Sequence, residues 1–264
     1  MFPGATADRS DASYAVVGAP LDRSASFRPG ARFGPERTRR FAQGFEDYDH
    51  HTGAHFSELG VFDAGDLRAW DDAAEYLAFL EGDLREFVDE GTMPLLLGGE
   101  HTVSVAGIRA TDPDVFVTLD AHLDLRESYD GNPLSHATVT HHALETADEA
   151  VILGARAGCE AEWERAGEAD VTVVPPEEVA EWEPEFEGEV YLSVDVDAAD
   201  PAHAPGTGTP EPFGLAPRTM RHVVRDLAPR CAGFDVVEVT DRDDGQAATL
   251  AAKFLREFAF AHAD

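Results

Sequence analysis

The stretch from Leu192 to Gly214, LSVDVDAADPAHAPGTGTPEPFG, starts like a buried strand, with Leu192 and Val194 following Tyr191, and then carries carboxylates at Asp195, Asp197 and Asp200. Side chains alternate faces along a strand, so Asp195 and Asp197 point the same way. Two carboxylates side by side away from water repel each other and resist ionisation. They need a compensating charge or they need solvent. Similar apolar runs recur along the chain: YAVVGAP, SELGVFD, MPLLLGG, VFVTLD, AVILGAR, VTVVPP, VYLSVDVD and GFDVVEV. Amphipathic stretches separate several of them. In DDAAEYLAFLEGDLREFVDEG, Leu77, Leu80, Leu84, Phe87 and Val88 share one helical face. APRTMRHVVRDLA and GQAATLAAKFLREFAFAHA read the same way. Near-continuous apolar strands alternating with helices predict an α/β domain spanning 1–264, with a mainly parallel sheet of about eight strands covered on both faces.

Composition narrows the class. The chain has 264 residues, 52 Asp+Glu against 20 Lys+Arg, and a formal net charge of -32. Lys253 is its only lysine. Such an acidic, lysine-poor surface resembles that of proteins from salt-loving microbes, in which salt screens self-repulsion. The charge argues against nucleic acid or an anionic membrane as partner. Two cysteines, Cys159 and Cys231, in unrelated contexts give no disulfide framework and no Cys-type zinc site, and both read as core or near-core thiols. No basic start followed by an apolar core opens the chain, and no apolar run reaches membrane-spanning length. The expectation is a soluble, cytoplasmic protein.

In open parallel sheets the working residues sit beyond the carboxyl ends of the strands. There the sequence offers His101 after MPLLL, Asp120, His122 and Asp124 after VFVTL, Asp195 and Asp197 after YLSV, and Glu238 after DVV. Background acids gather in polar stretches such as EWEPEFEGE, whereas these interrupt the most apolar segments. Carboxylates with a minority of imidazoles suit hard divalent ions such as Mn²⁺. Four carboxylates, Asp120, Asp124, Asp195 and Asp197, are too many for one open site but fit two ions sharing bridging ligands. Facing cations, Asp195 and Asp197 can both stay ionised.

GGEHT, DAHLD and SVDVDAADPAHAPGTGTPEPFG, in that order, resemble the signatures of the ureohydrolase family of arginases and agmatinases. GAPLDRSASFRPGARFGPERTRR, SHATVTHHALE and GFDVVEVTDRDD match in order as well, so the resemblance covers nearly the whole chain. It implies a three-layer α/β/α fold, two Mn²⁺ per chain, assembly as homo-trimers or hexamers, and hydrolysis of a small cationic guanidino substrate to urea. Carried over residue by residue, one ion would be held by His101, Asp120, Asp124 and Asp195, and the other by His122, Asp120, Asp195 and Asp197. Asp124 would also aim the attacking hydroxide, Glu238 would clamp the guanidinium, and His136 would shuttle a proton to the leaving amine. Leu123, Ala137 and the missing proline in EVTDRDD depart from the family pattern without removing a ligand.

The loop LRESYDGNPLSHAT looks more like the agmatinase type than the arginase type, and a doubly cationic substrate suits an acidic mouth. The expected reaction is agmatine to putrescine and urea. Arg126 is the counter-signal: facing the pocket, it would favour the carboxylate of arginine, guanidinobutyrate or formiminoglutamate. A single-zinc deacetylase-like amidohydrolase or a non-catalytic homologue is a more distant alternative. Asp200 before Pro201 reads as a turn former, His50, His51 and His55 carry no role, and His141 and His142 read as surface or second-layer residues. Arg156 is as much a structural arginine as a loop-orienting one. Asn132 and Ser135 either line the mouth or shape the loop. Gly98, Gly206 and Gly208 read as turn glycines.

Overall fold

The computed structural model describes residues 1–264. Every apolar run forms a strand: β1 (Tyr14–Ala19), β2 (Val61–Asp66), β3 (Met93–Gly98), β4 (Val115–Leu119), β5 (Glu149–Leu153), β6 (Val171–Val174), β7 (Val190–Asp195) and β8 (Cys231–Val237). The α-helices are α1 (Gly34–Ala42), α2 (Ala73–Asp89), α3 (Ser104–Thr111), α4 (Val139–Ala143), α5 (Glu160–Arg165), α6 (Pro217–Leu227) and α7 (Gln246–Ala263). All eight strands join one sheet in the order β2-β1-β3-β8-β7-β4-β5-β6. Every pairing is parallel. The last strand of the chain thus lies inside the sheet, between β3 and β7.

Alternate residues of single strands enter different cores, which makes the molecule three layers deep. Val16, Leu95, Leu97, Val117, Leu192 and Val194 pack with Phe254, Leu255 and Phe258 of α7 and Met220 and Val224 of α6. Val17 and Leu96 pack instead with Tyr76, Leu77, Leu80 and Leu84 of α2 and Ala106 of α3. Phe116 and Tyr191 meet Ile108 of α3 and Val139 of α4. Phe234 of β8 stacks on Phe258 at 4.2 Å, and burying such a side chain contributes roughly 1.5–3 kcal/mol. The Asp72 side chain caps α2 by accepting the Glu75 N–H.

The acidic surface carries its own expectation. A net charge of -32 makes the folded state repel itself, and this repulsion falls as the screening length drops from about 10 Å at 0.1 M salt to about 3 Å at 1 M. The melting temperature is therefore expected to climb as KCl rises to molar concentration. A flat or falling curve by scanning calorimetry would contradict this view of the surface.

Candidate metal centre and cleft

Parallel strands present all their carboxyl ends on one edge, and the four central strands β3, β8, β7 and β4 bring the ligand-type residues together there. His101, Asp120 and Asp124 form one compact group, and Asp120, His122 and Asp197 form a second. Asp120 belongs to both. Asp195 lies beside the first group, with its Oδ2 3.6 Å from His101 Nδ1. Apart from His122, these side chains are buried. Hydrogen bonds fix their poses: Asp120 Oδ1 accepts the His122 N–H at 2.7 Å, Asp195 Oδ1 accepts the Asp197 N–H at 2.8 Å, and Asp197 Oδ1 accepts the Ala121 N–H at 3.1 Å.

The atoms left over converge. His101 Nδ1 stands 3.1 Å from Asp120 Oδ2 and 3.0 Å from Asp124 Oδ2. Neither His101 Nδ1 nor Asp120 Oδ2 has a hydrogen-bond partner, although both are buried. His122 Nδ1 approaches Asp197 Oδ2 at 3.1 Å. Burial together with the neighbouring Asp197, Asp120 and Glu238 charges pushes the Asp195 carboxyl well above its usual range. Burial and Asp120 raise Asp124 to about 7. Four carboxylates and two imidazoles cannot hold their charges here unaided, and a divalent pair is what this donor set accommodates.

Above this group opens a cleft of about 350 Å³, lined by His122, Asp124, Arg126, Tyr129, His136, Cys159, Glu162 and Thr209 among others. Glu238 and His136 share an adjoining pocket with Gly208 and Thr209. Glu238 Oε1 accepts the His101 N–H at 2.9 Å, and its Oε2 is turned toward Gly208, where a Cβ would lie only 3.1 Å away. Burial, joined by the Glu100 and Asp197 charges, raises Glu238 to about 8 despite the His101 N–H. Glu238 and Asp124 both have left-handed backbone, with φ 64° and 51°. That conformation costs a non-glycine residue roughly 1–2 kcal/mol and persists where the surroundings dictate it. His136 Nδ1 and Nε2 each lie 3.2 Å from a hydroxyl, those of Ser24 and Ser26 respectively. Burial lowers the His136 pKa.

The remaining expectations resolve individually. Arg156 orients the loop: it donates to the carbonyls of Gly154, Asp197, Glu211 and Pro212 and so ties the segment after β7 to the end of β5. Asp200 is a turn former, accepting the N–H groups of Ala202, Phe213 and Gly214. Asn132 bridges to the backbone of Leu134 and Ser135 caps the turn at His136, so both shape the loop. His55 pairs with Asp47, away from the site. Gly98, Gly206 and Gly208 are not among the positive-φ glycines; their role is close approach, as at Gly98, where a Cβ would meet Val237 at 2.6 Å. Cys231 is buried as expected, whereas Cys159 is partly exposed and lines the cleft.

Three supporting acids escaped the sequence reading. Glu100, fully buried beside His101, accepts the N–H groups of Arg23 and Ser24 and the hydroxyls of Ser24 and Thr102, which fixes the loop that touches His136. Asp235, midway along β8, is 0% exposed. Its signal was an acid inside an apolar run. Glu162 accepts from Arg126 Nε at 3.1 Å and from the Cys159 N–H at 2.8 Å.

Known proteins share this arrangement. The chain is 36% identical to an agmatinase of Bacillus anthracis, over 94% of this chain and 91% of that one. It is 35% identical to a guanidinobutyrase of Pseudomonas aeruginosa, over 95% and 86%. The crystal structure of an agmatine ureohydrolase of Thermoplasma volcanium superimposes with a TM-score of 0.92 at 33% identity, covering 99% of this chain and 93% of that one. A family model described as the arginase family matches residues 12–261. Fold, motif order and this match agree: the chain belongs to the arginase family.

Proposed function

We propose that the protein hydrolyses agmatine to putrescine and urea, with two Mn²⁺ held by His101, Asp120, Asp124, Asp195, His122 and Asp197. The observation that carries the reading is the pair of buried, partnerless atoms, His101 Nδ1 and Asp120 Oδ2, within a carboxylate cluster beneath a cleft. When bound, such an ion pair supplies Lewis acidity and a water acidic enough to attack near neutral pH. The chain does the rest. Glu238 Oε2 accepts N–H groups of the guanidinium and orients its carbon toward Asp124. Asp124 aims the attacking water by accepting its hydrogen bond. His136, kept neutral by its burial, takes the proton released by the water and gives it to the tail nitrogen as the C–N bond breaks. Urea and a primary amine leave.

The tail preference rests on Arg126. It is the only Lys or Arg lining the cleft, and it is paired with Glu162 while its guanidinium lies 5.0 Å from the centre of the Tyr129 ring. Its charge is therefore matched within the protein, and an ammonium tail suits the acidic cleft better than a carboxylate does. Guanidinobutyrate is the second reading, because the terminal nitrogens of Arg126 bond to no protein group. The test is urea release over agmatine, arginine and guanidinobutyrate, with Mn²⁺ present and at high salt. Agmatine should be preferred by at least about tenfold, on the order of one hydrogen-bonded charge pair, and Arg126→Ala should change its turnover little. A strong guanidinobutyrate or arginine preference that Arg126→Ala removes would overturn the agmatine assignment. The same reading carries a cytoplasmic homo-oligomer, a trimer or hexamer, measurable by light scattering.

A further inference from the structure

We propose that Asp235 is a positioning residue that, through the Ser193 hydroxyl, locks His101 in the tautomer whose bare Nδ1 faces the ion site. The inference rests on reading His101 as a metal ligand, and it adds a second layer of residues to that site. Ser193 of β7 and Asp235 of β8 are register partners on adjacent strands. The Ser193 hydroxyl donates to Asp235 Oδ1 at 2.6 Å, and the Tyr191 hydroxyl donates to Oδ2 at 2.8 Å. Ser193 Oγ also lies 3.0 Å from His101 Nε2. Ser193 and Asp235 are 0% exposed, and Tyr191 and His101 are 1% exposed, so no solvent enters the chain of contacts.

Counting hydrogens decides the direction. A carboxylate only accepts, and both groups that reach Asp235 are hydroxyls. Ser193 has one hydrogen, and Asp235 takes it. Toward His101 the Ser193 oxygen can then only accept, so Nε2 must carry the imidazole hydrogen. Nδ1 is left with its lone pair, aimed at Asp120 Oδ2 and Asp124 Oδ2. Without Asp235 the Ser193 hydroxyl could turn and donate to Nε2. The imidazole hydrogen would move to Nδ1, where two carboxylates would welcome it and a cation could not bind. Groups that orient a ligating imidazole in this way commonly change metal affinity by roughly 10–100-fold.

The experiment uses full-length protein with ¹⁵N-labelled histidine. Long-range ¹⁵N–¹H spectra of the metal-free form give the His101 tautomer, assigned by its loss in His101→Asn. Equilibrium dialysis against Mn²⁺ gives the two affinities. Wild type should show the Nε2–H form. Asp235→Leu, which keeps the heavy-atom count of the side chain, and Ser193→Ala should both move His101 toward Nδ1–H. Both should weaken one ion by roughly 10–100-fold and leave the other near its wild-type affinity. Ser193→Thr, which keeps the hydroxyl, should restore both readouts. Tyr191→Phe removes a buried hydrogen bond from the other oxygen of Asp235, and should change neither. An Nδ1–H form in wild type, or unchanged tautomer and affinities in Ser193→Ala, would overturn the inference. An equal effect of Tyr191→Phe would reduce it to general packing and overturn it too. Should wild type bind no ion, the metal reading itself falls, and the tautomer measurement still decides the role of Asp235.

Discussion

Replacing Glu238 by Gln is expected to leave both ions bound and to remove nearly all urea release. Gln keeps a carbonyl oxygen that can accept the His101 N–H, so the backbone at the first ligand stays where Glu238 now holds it. What changes is the other atom. Where Oε2 faced the pocket, an N–H₂ group now meets the N–H groups of the substrate, donor against donor. Losing one partner of a desolvated charge pair costs about 2–5 kcal/mol, or roughly thirty- to several-thousand-fold in rate. Steady-state kinetics with metal analysis on the same sample separate the two effects. Near-normal turnover in Glu238→Gln would end the proposed mechanism, whatever the metal content.

The second large effect concerns the shared ligand. Asp120 belongs to both compact groups, whereas Asp197 belongs to one. Asp120→Ala should therefore strip both ions, and Asp197→Ala should strip mainly one. Atomic emission analysis after Mn²⁺ loading and gel filtration should give about two ions per chain in the parent protein, as a two-metal site requires. A parent stoichiometry of one, unchanged by added metal, would refute the dinuclear reading. Equal losses in the two variants would refute the shared role of Asp120. Because Asp120 and Asp195 repel each other in the metal-free state, Asp120→Ala should not unfold the chain, and its circular dichroism should match that of the parent.

The strands were legible because each is apolar almost throughout, as burial on both faces demands; Leu95, Leu96 and Leu97 serve both layers in turn. The ends of the strands were legible because Asp120, Asp195 and Glu238 interrupt such runs. What stayed hidden depends on which strands are neighbours. Nothing local in YLSVD or GFDVV says that β7 and β8 are adjacent in register, yet only that pairing joins Ser193 to Asp235. Glu100 was masked by its neighbour His101, since a buried acid that serves backbone N–H groups shows no pattern in the sequence. Arg126 pointed to the pocket in the sequence, but its partner Glu162 lies 36 residues away and one helix later. Cys159 looked like a core thiol because residue type alone does not tell a cleft wall from an interior.

The position of β8 has a consequence for the making of the protein. As synthesis proceeds from the amino end, β2-β1-β3 and β7-β4-β5-β6 can each pair internally, but the strand that joins them leaves the ribosome last. Until residues 231–237 arrive, β3 and β7 each keep an open edge, the kind of surface that recruits foreign strands. Glu238 and the His101–Ser193–Asp235 contacts do not exist before that moment. A chain cut short anywhere upstream of β8 is thus two half-sheets with part of a ligand set, exposed to aggregation and proteolysis. Insertion of the final strand marks completion: the event that closes the sheet also assembles the site, so the fold leaves no room for a truncated yet partly active product.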